Sequence, residues 1–196
     1  MEELNLCFIG DELIAGYGDA RALGWTGRVM ARTHRDPAVL WTELAVPGEN
    51  TRQLAARWQE EVARRSSSGR NLLVVGVGVA DIKSGLSTAR SRLALANILD
   101  AAMAERRECF VVGPPPLLSV DQDQISALNA AAAEVCNRRE VPYVDTFTPL
   151  RNHEQWNTDL LSTGGTHPGQ AGYGLLAWLV LHRGWFEWLG VDAPAA

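Results

Sequence analysis

Leu4-Asn5-Leu6-Cys7-Phe8-Ile9-Gly10-Asp11-Glu12-Leu13-Ile14-Ala15-Gly16-Tyr17-Gly18 is the stretch that decides the fold. Residues 4–9 form an apolar run of strand length. The run stops at Gly10-Asp11 and passes into a glycine-rich loop. A run of that kind reads as a buried strand, and strands buried on both faces belong to parallel sheets covered by helices. In such sheets ligands bind at the carboxyl ends of the strands. The loop after Ile9 is therefore the first place to look for chemistry, and Glu12 is its most informative residue.

Outward from this strand, strand-like and helix-like runs alternate. Residues 23–35 have helical spacing of Trp25, Val29 and Met30, and residues 38–44 read as a second strand. Asn50-Thr51 offers an N-cap for a helix running to about Arg65. Residues 71–77 are the most hydrophobic strand and are expected at the centre of the sheet. A loop over 78–87 leads to a helix over 89–106, with Leu93, Ala96, Leu99 and Met103 on one face. Residues 109–112 form a fourth strand, ended by Gly113 and Pro114 to Pro116. A long helix over 121–139 and a short strand over 141–144 follow. A looser stretch runs to Thr166, then Pro168 opens a last helix to about His182. The tail over 185–189 carries two tryptophans and is expected to pack on the core. This order predicts an α/β chain with a flavodoxin-like three-layer α/β/α sandwich and a five-stranded parallel sheet. It predicts one domain over residues 1–196. Residues 10–16, 45–50, 78–84, 113–117 and 145–167 would share one edge of that sheet.

The 196 residues are 46% hydrophobic and 21% charged, an ordinary globular balance. A net charge of −5 argues against a nucleic-acid surface. Arg64-Arg65 and Arg106-Arg107 read as solvated helix ends. Cys7, Cys109 and Cys136 are too few and too scattered for a disulfide framework or a zinc site, and read as buried thiols. Met1-Glu2-Glu3 lacks the basic start of a signal peptide. The apolar run at 175–181 is too short to span a membrane. A cytoplasmic protein without membrane attachment is expected. Gly10, Gly16 and Gly18 do not make G-x-G-x-x-G, and no P-loop follows. Neither a cofactor nor a metal is expected, and a small molecule is the expected partner.

The potentially reactive residues at the predicted edge are Asp11, Glu12, Glu49, Asp81, Asp145, Asp159 and His167. His167 stands in Gly164-Gly165-Thr166-His167-Pro168-Gly169, a flexible setting directly before a helix. His34 and His182 end helices, where a cation is favourable, and His153 lies in a polar loop. Asp11 is expected to brace its loop and Asp81 to cap the loop after the third strand. Glu49 and Arg52 read as a solvated pair beside Gly48. Trp25, Trp41, Trp58 and Trp178 read as core or interface residues, and Trp156 as a candidate lid over substrate.

Gly10-Asp11, Gly48, Gly78-Val79-Ala80-Asp81 and His167-Pro168 with Gly172-Tyr173 together resemble the blocks of the GDSL (SGNH) esterase and lipase family. The resemblance covers nearly the whole chain. It implies a nucleophilic Ser at position 12 and a general-base His at 167, oriented by an Asp at position 164. It implies an oxyanion hole made by the backbone N–H groups of residues 12 and 48 and an Asn side chain at position 80. Gly48, Asp81 and His167 match this pattern. Position 12 is Glu, position 80 is Ala and position 164 is Gly. A missing hydroxyl removes the covalent route, and a missing oxyanion donor costs about 100- to 1000-fold in rate.

A carboxylate at position 12 is expected where backbone N–H groups converge, which stabilises it. Placed near His167, Glu12 would make an acid/base pair. Such a pair suits proton abstraction, dehydration, cyclisation or activation of water on a small carbonyl- or ester-bearing substrate. Two other readings stay open: a catalytically dead binding module plugged by Glu12, and ester hydrolysis by carboxylate- or His-activated water. Asp159, Asp145 or a backbone carbonyl could orient His167.

Overall fold

Successive residues of a strand point to opposite faces, and β1 (Leu4–Gly10) uses both. Leu4, Leu6 and Phe8 enter one core, Cys7 and Ile9 the other. The computed structural model describes residues 3–36 and 38–193. It places β1 beside β2 (Leu40–Ala45) and β3 (Arg70–Gly76), with β4 (Glu108–Val112) and β5 (Tyr143–Val144) beyond. All pairings are parallel and the strand order is 2-1-3-4-5, with β3 central. This is the flavodoxin-like order, and the chain reverses direction across the sheet between β1 and β3. The fold class read from sequence is thus the fold found.

One face of the sheet carries α1 (Gly24–Met30) and α8 (Gln170–Val180), which supply Trp25, Val29, Leu176 and Val180. Phe8 stacks on Trp185 at 6.1 Å between centroids and meets Trp25 edge-on at 5.6 Å. The other face carries α2 (Thr51–Ala63), α4 (Thr88–Ala104) and α5 (Gln122–Asn137), with Leu54, Trp58, Leu95, Ile98, Leu99 and Leu128 buried. Asn50 and Gln53 form the reciprocal cap of α2. α3 (Ala80–Lys83) is a single turn inside the loop after β3.

Several sequence expectations need correction. Helix α1 stops at Met30 instead of Arg35, because the N–H groups of Arg32 and Thr33 turn back to carbonyls three residues earlier. On α4 the buried stripe is Leu95, Ile98, Leu99 and Ala102, while Leu93 and Met103 are exposed. Two stripes of helical spacing share Leu99, and packing against α2 and α5 selects between them. The stretch before Thr166 is not loose: it holds α6 (Phe147–Leu150) and α7 (Glu154–Ser162). Asp145 caps α6 through the Thr148 N–H, and His153 Nδ1 caps α7 by accepting from the Trp156 N–H. Trp41 and Trp178 are exposed, whereas Trp25 and Trp58 are core. Arg107 is buried against Glu105 and Ser66 instead of solvated.

Beyond α8 the chain makes a wide turn, Leu181–Trp185, then α9 (Phe186–Leu189). This brings Trp185 into the core, where its indole N–H donates to Thr33 Oγ1 at 2.9 Å. The three cysteines are buried and unpaired, and burial pushes the Cys109 and Cys136 thiols up to about 12. Among the described residues no helix is long and apolar enough to cross a membrane.

Candidate active site

The loop between β1 and α1 starts as a series of tight turns, with Ile14 N–H donating to Asp11 O and Tyr17 N–H to Glu12 O. These turns send adjacent carboxylates in opposite directions. Asp11 faces inward and is 3% exposed. Its Oδ1 accepts the Leu13 N–H at 3.0 Å, and its Oδ2 lies where a Cβ on Gly78 would stand. Only glycine at position 78 admits this approach. Burial, reinforced by the charge of Glu12, pushes Asp11 up to about 7. The expected bracing role fits this placement.

Glu12 is half-buried and faces the edge of the sheet. Its Oε2 accepts the Gly48 N–H at 2.7 Å. The turn that presents this N–H closes with Glu49 N–H on Val46 O at 3.2 Å. Glu49 is itself clamped by Arg57, at 2.7 and 2.6 Å, and Arg57 also donates to Leu44 O. Glu49 is thus a structural ion-pair partner rather than a solvated loop residue, and Arg52 stands exposed.

Asp81 is buried and does not cap its own loop. It accepts the Thr51 N–H at 2.6 Å and the Thr51 hydroxyl at 2.7 Å, tying the loop after β3 to the first turn of α2. A carboxylate is favourable at that helix end. Ala80 is buried at the start of α3 and brings no donor to the site.

His167 arrives from the other side, between α7 and α8. Its ring meets Tyr17 edge-on at 4.8 Å. A Cβ at Gly18 would collide with its Cδ2 and Nε2, so this edge of the ring lies on the β1–α1 loop. Gly18 also has φ +88°, a conformation glycine favours. His167 Nδ1 is 2.8 Å from Thr166 Oγ1. The fold therefore brings Glu12 and His167 to the same loop. They do not form the expected direct pair: among the described residues no Glu12–His167 ion pair occurs, and Glu12 bonds to Gly48 instead. A fixed backbone N–H satisfies the carboxylate at close range, with no side chain to order.

Neither proposed orienting acid reaches His167. Asp159 Oδ2 accepts the N–H groups of Gly169 and Gly172 at 2.6 and 3.0 Å, capping α8, and Asp145 caps α6. Trp156 is no lid. It is fully buried, and its indole N–H donates to Pro116 O at 3.0 Å beneath the loop after β4. Gly164 is exposed with φ +68°, and a Cβ there would meet nothing within 4 Å.

Sequence reading missed Asp19. Its side chain is fully enclosed, paired with Arg28 and accepting from the N–H groups of Arg21, Leu23 and Gly24 at 3.1, 3.2 and 2.9 Å. The Arg28 hydrogen bond holds its carboxyl down at about 2. An Asp shortly before a helix with an Arg in its last turn was the available signal. The Tyr173 hydroxyl, donating to Tyr17 O at 2.8 Å, completes the brace on this loop. Tyr17, Val46 and Leu118, from the loops after β1, β2 and β4, leave apolar surface exposed around the edge. Among the described residues no three His, Cys, Asp or Glu side chains cluster as metal ligands would.

Residues 8–175 match the model of the GDSL-like lipase/acylhydrolase family, and the chain belongs to that family. No curated protein matches the chain. Among solved structures, a lipase/acylhydrolase from Enterococcus faecalis superposes with a TM-score of 0.78 at 21% identity, covering 98% of this chain and 99% of that one. TesA gives 0.75 at 20% identity, covering 92% and 97%. A catalytic mutant of Axe2, an acetylxylan esterase from Geobacillus stearothermophilus, gives 0.77 at 19% identity, covering 97% of each. At these identities the likeness is one of fold.

Proposed function

We propose that this GDSL-family chain carries an acid/base site in place of a Ser-based acyl-transfer site, acting on a small carbonyl- or ester-bearing substrate. Glu12 and His167 are the proposed catalytic pair. Gly48 and the backbone of residue 12 are the proposed donors to a developing negative charge. The observation that supports this reading is the Glu12–Gly48 hydrogen bond at 2.7 Å. It puts a half-exposed carboxylate, with one backbone partner among the described residues, in the same loop that the Nε2 side of His167 faces at Gly18.

In this reading a substrate oxygen competes with Glu12 for the Gly48 N–H, and the displaced carboxylate stays beside the substrate. His167 Nε2 takes a proton from the substrate or from a water. Glu12 and His167 then pass that proton to the departing oxygen. Proton abstraction, dehydration or cyclisation all fit this sequence of transfers. The exposed apolar rim of Tyr17, Val46 and Leu118 suits a substrate with some hydrocarbon character.

The same hydrogen bond favours a second reading. A carboxylate seated on the Gly48 N–H blocks that donor, which would make the chain a plugged binding module. Turnover separates the two. The parent, Glu12→Gln and His167→Ala are assayed on short-chain aryl esters and on small β-hydroxy carbonyl compounds. Loss of turnover in both variants with unchanged melting temperature supports the acid/base site. Normal turnover in both variants sinks it. A silent parent that binds a small molecule as well as Glu12→Gln does favours the binding module.

A further inference from the structure

His167 lacks the Asp that the family places three residues earlier, and the two acids that the sequence offers in its stead, Asp145 and Asp159, are committed to helix ends. We propose that Thr166 is the positioning residue of His167, holding its proton on Nδ1 and leaving Nε2 bare toward the β1–α1 loop. The proposal rests on the reading of His167 as a proton acceptor only for its catalytic consequence.

Thr166 Oγ1 lies 3.0 Å from the carbonyl oxygen of Thr163 and 2.8 Å from His167 Nδ1. A hydroxyl has one proton to donate and lone pairs with which to accept. The Thr163 carbonyl can only accept. Both contacts are hydrogen bonds in one arrangement of a neutral ring: Thr166 donates to Thr163 O and accepts from Nδ1–H. The hydrogen bond at one ring nitrogen then decides the state of the other.

The surrounding turn keeps Thr166 in place. Gly164 and Gly165 both have positive φ, which folds residues 163–167 back on themselves. The Thr163 hydroxyl stands within hydrogen-bond reach of the backbone oxygens of Leu160 and His167, and its one proton serves either of them. The Gly165 carbonyl accepts the Ser119 N–H at 3.0 Å, fastening the turn to the loop after β4. The ring is thus held at Nδ1 by Thr166 and at its far edge by Tyr17 and Gly18. A neutral hydroxyl orients the ring as an Asp would. It differs in offering no negative charge to stabilise an imidazolium.

The test reads the tautomer directly. Protein labelled with ¹⁵N-histidine is examined by long-range ¹H–¹⁵N correlation, at a pH where His167 is neutral. The His167 signals are identified by their absence in His167→Gln. The expected result is a protonated Nδ1 and a bare Nε2 in the parent and in Thr166→Ser. In Thr166→Val the proton is expected to move to Nε2 in a large fraction of molecules. A parent with its proton on Nε2, or a Thr166→Val protein with the parent's tautomer, overturns the proposal. Thr166 is exposed, so Thr166→Val is expected to fold, and Thr166→Ala serves as a second variant lacking the hydroxyl. If His167 is the base, Thr166→Val also lowers kcat by about 10- to 100-fold at little change in KM, and Thr166→Ser restores most of it. A tautomer change without loss of turnover leaves Thr166 in its role and removes His167 from the reaction.

Discussion

Asp19 and Glu12 stand seven residues apart in one loop and have opposite surroundings. Asp19 has a guanidinium and three backbone N–H groups, and its side chain is shut away from solvent. Glu12 is half-exposed and has one backbone N–H, from Gly48. A carboxylate with every lone pair engaged is fixed and cannot receive a substrate or a proton without breaking its loop. A carboxylate with one engaged oxygen keeps the other free. Asp81 and Asp159 belong with Asp19, since each is tied by two donors to a helix N-terminus. The contrast separates scaffold acids from the reactive candidate by their partners, where residue type alone does not.

The largest effect expected from this contrast is on stability. Asp19→Ala leaves Arg28 and three N–H groups without their acceptor in a closed site. Unfolding in urea should show a loss on the order of 3–5 kcal/mol. A loss below about 1 kcal/mol would dissolve the distinction between the two acids.

A second way to sharpen it is pH. Asp11 is raised by burial from its ordinary value near 3.8 to about 7. The folded state then holds a proton on Asp11 that the unfolded state releases above about pH 4. Its contribution is fully favourable below pH 4 and is lost as pH climbs through 7. Asp19 is lowered to about 2, so its contribution is present above pH 4 and lost as pH falls toward 2. Melting temperature should fall by several degrees between pH 5 and 8 in the parent. In Asp11→Asn, which keeps an acceptor for Leu13, that slope should flatten. A parent with a level profile over this range contradicts the placement of Asp11.

Asp81→Ala removes both acceptors of Thr51 in the first turn of α2, while the Asn50–Gln53 cap stays. Thermal unfolding should register a loss of about 1–3 kcal/mol. The smallest stability change is expected at the site itself. Glu12→Gln keeps an oxygen for the Gly48 N–H and should alter stability by less than about 0.5 kcal/mol. Any turnover found for the parent should nevertheless disappear. A large stability gain in Glu12→Gln would mark the carboxylate as a strained plug.

Legibility from sequence followed how local each cause was. Strand β1, the Asn50 cap of α2 and the central position of β3 rest on neighbouring residues and on runs of apolar side chains, so they were readable. Trp156 was misread because a tryptophan near a reactive histidine looks the same whether it covers substrate or plugs the core. Its bond to Pro116, 40 positions away, is what settles the matter. The stripe on α4 was misread for the same kind of reason, since two faces share Leu99 and the neighbouring helices choose.

Hydrophobic patterning along the chain was enough for the α/β class, the succession of strands and helices and the sheet edge that holds the candidate residues, because burial periodicity is a property of consecutive residues. The family likeness and the three departures, Glu12, Ala80 and Gly164, came instead from the resemblance of particular residues to the family's blocks. Tertiary structure alone decided which donor Glu12 meets, that Asp145 and Asp159 serve helix ends, and that Thr166 is the group at His167 Nδ1. Those outcomes depend on hydrogen bonds made within about 3 Å between loops from different strands, and no local pattern sets such distances.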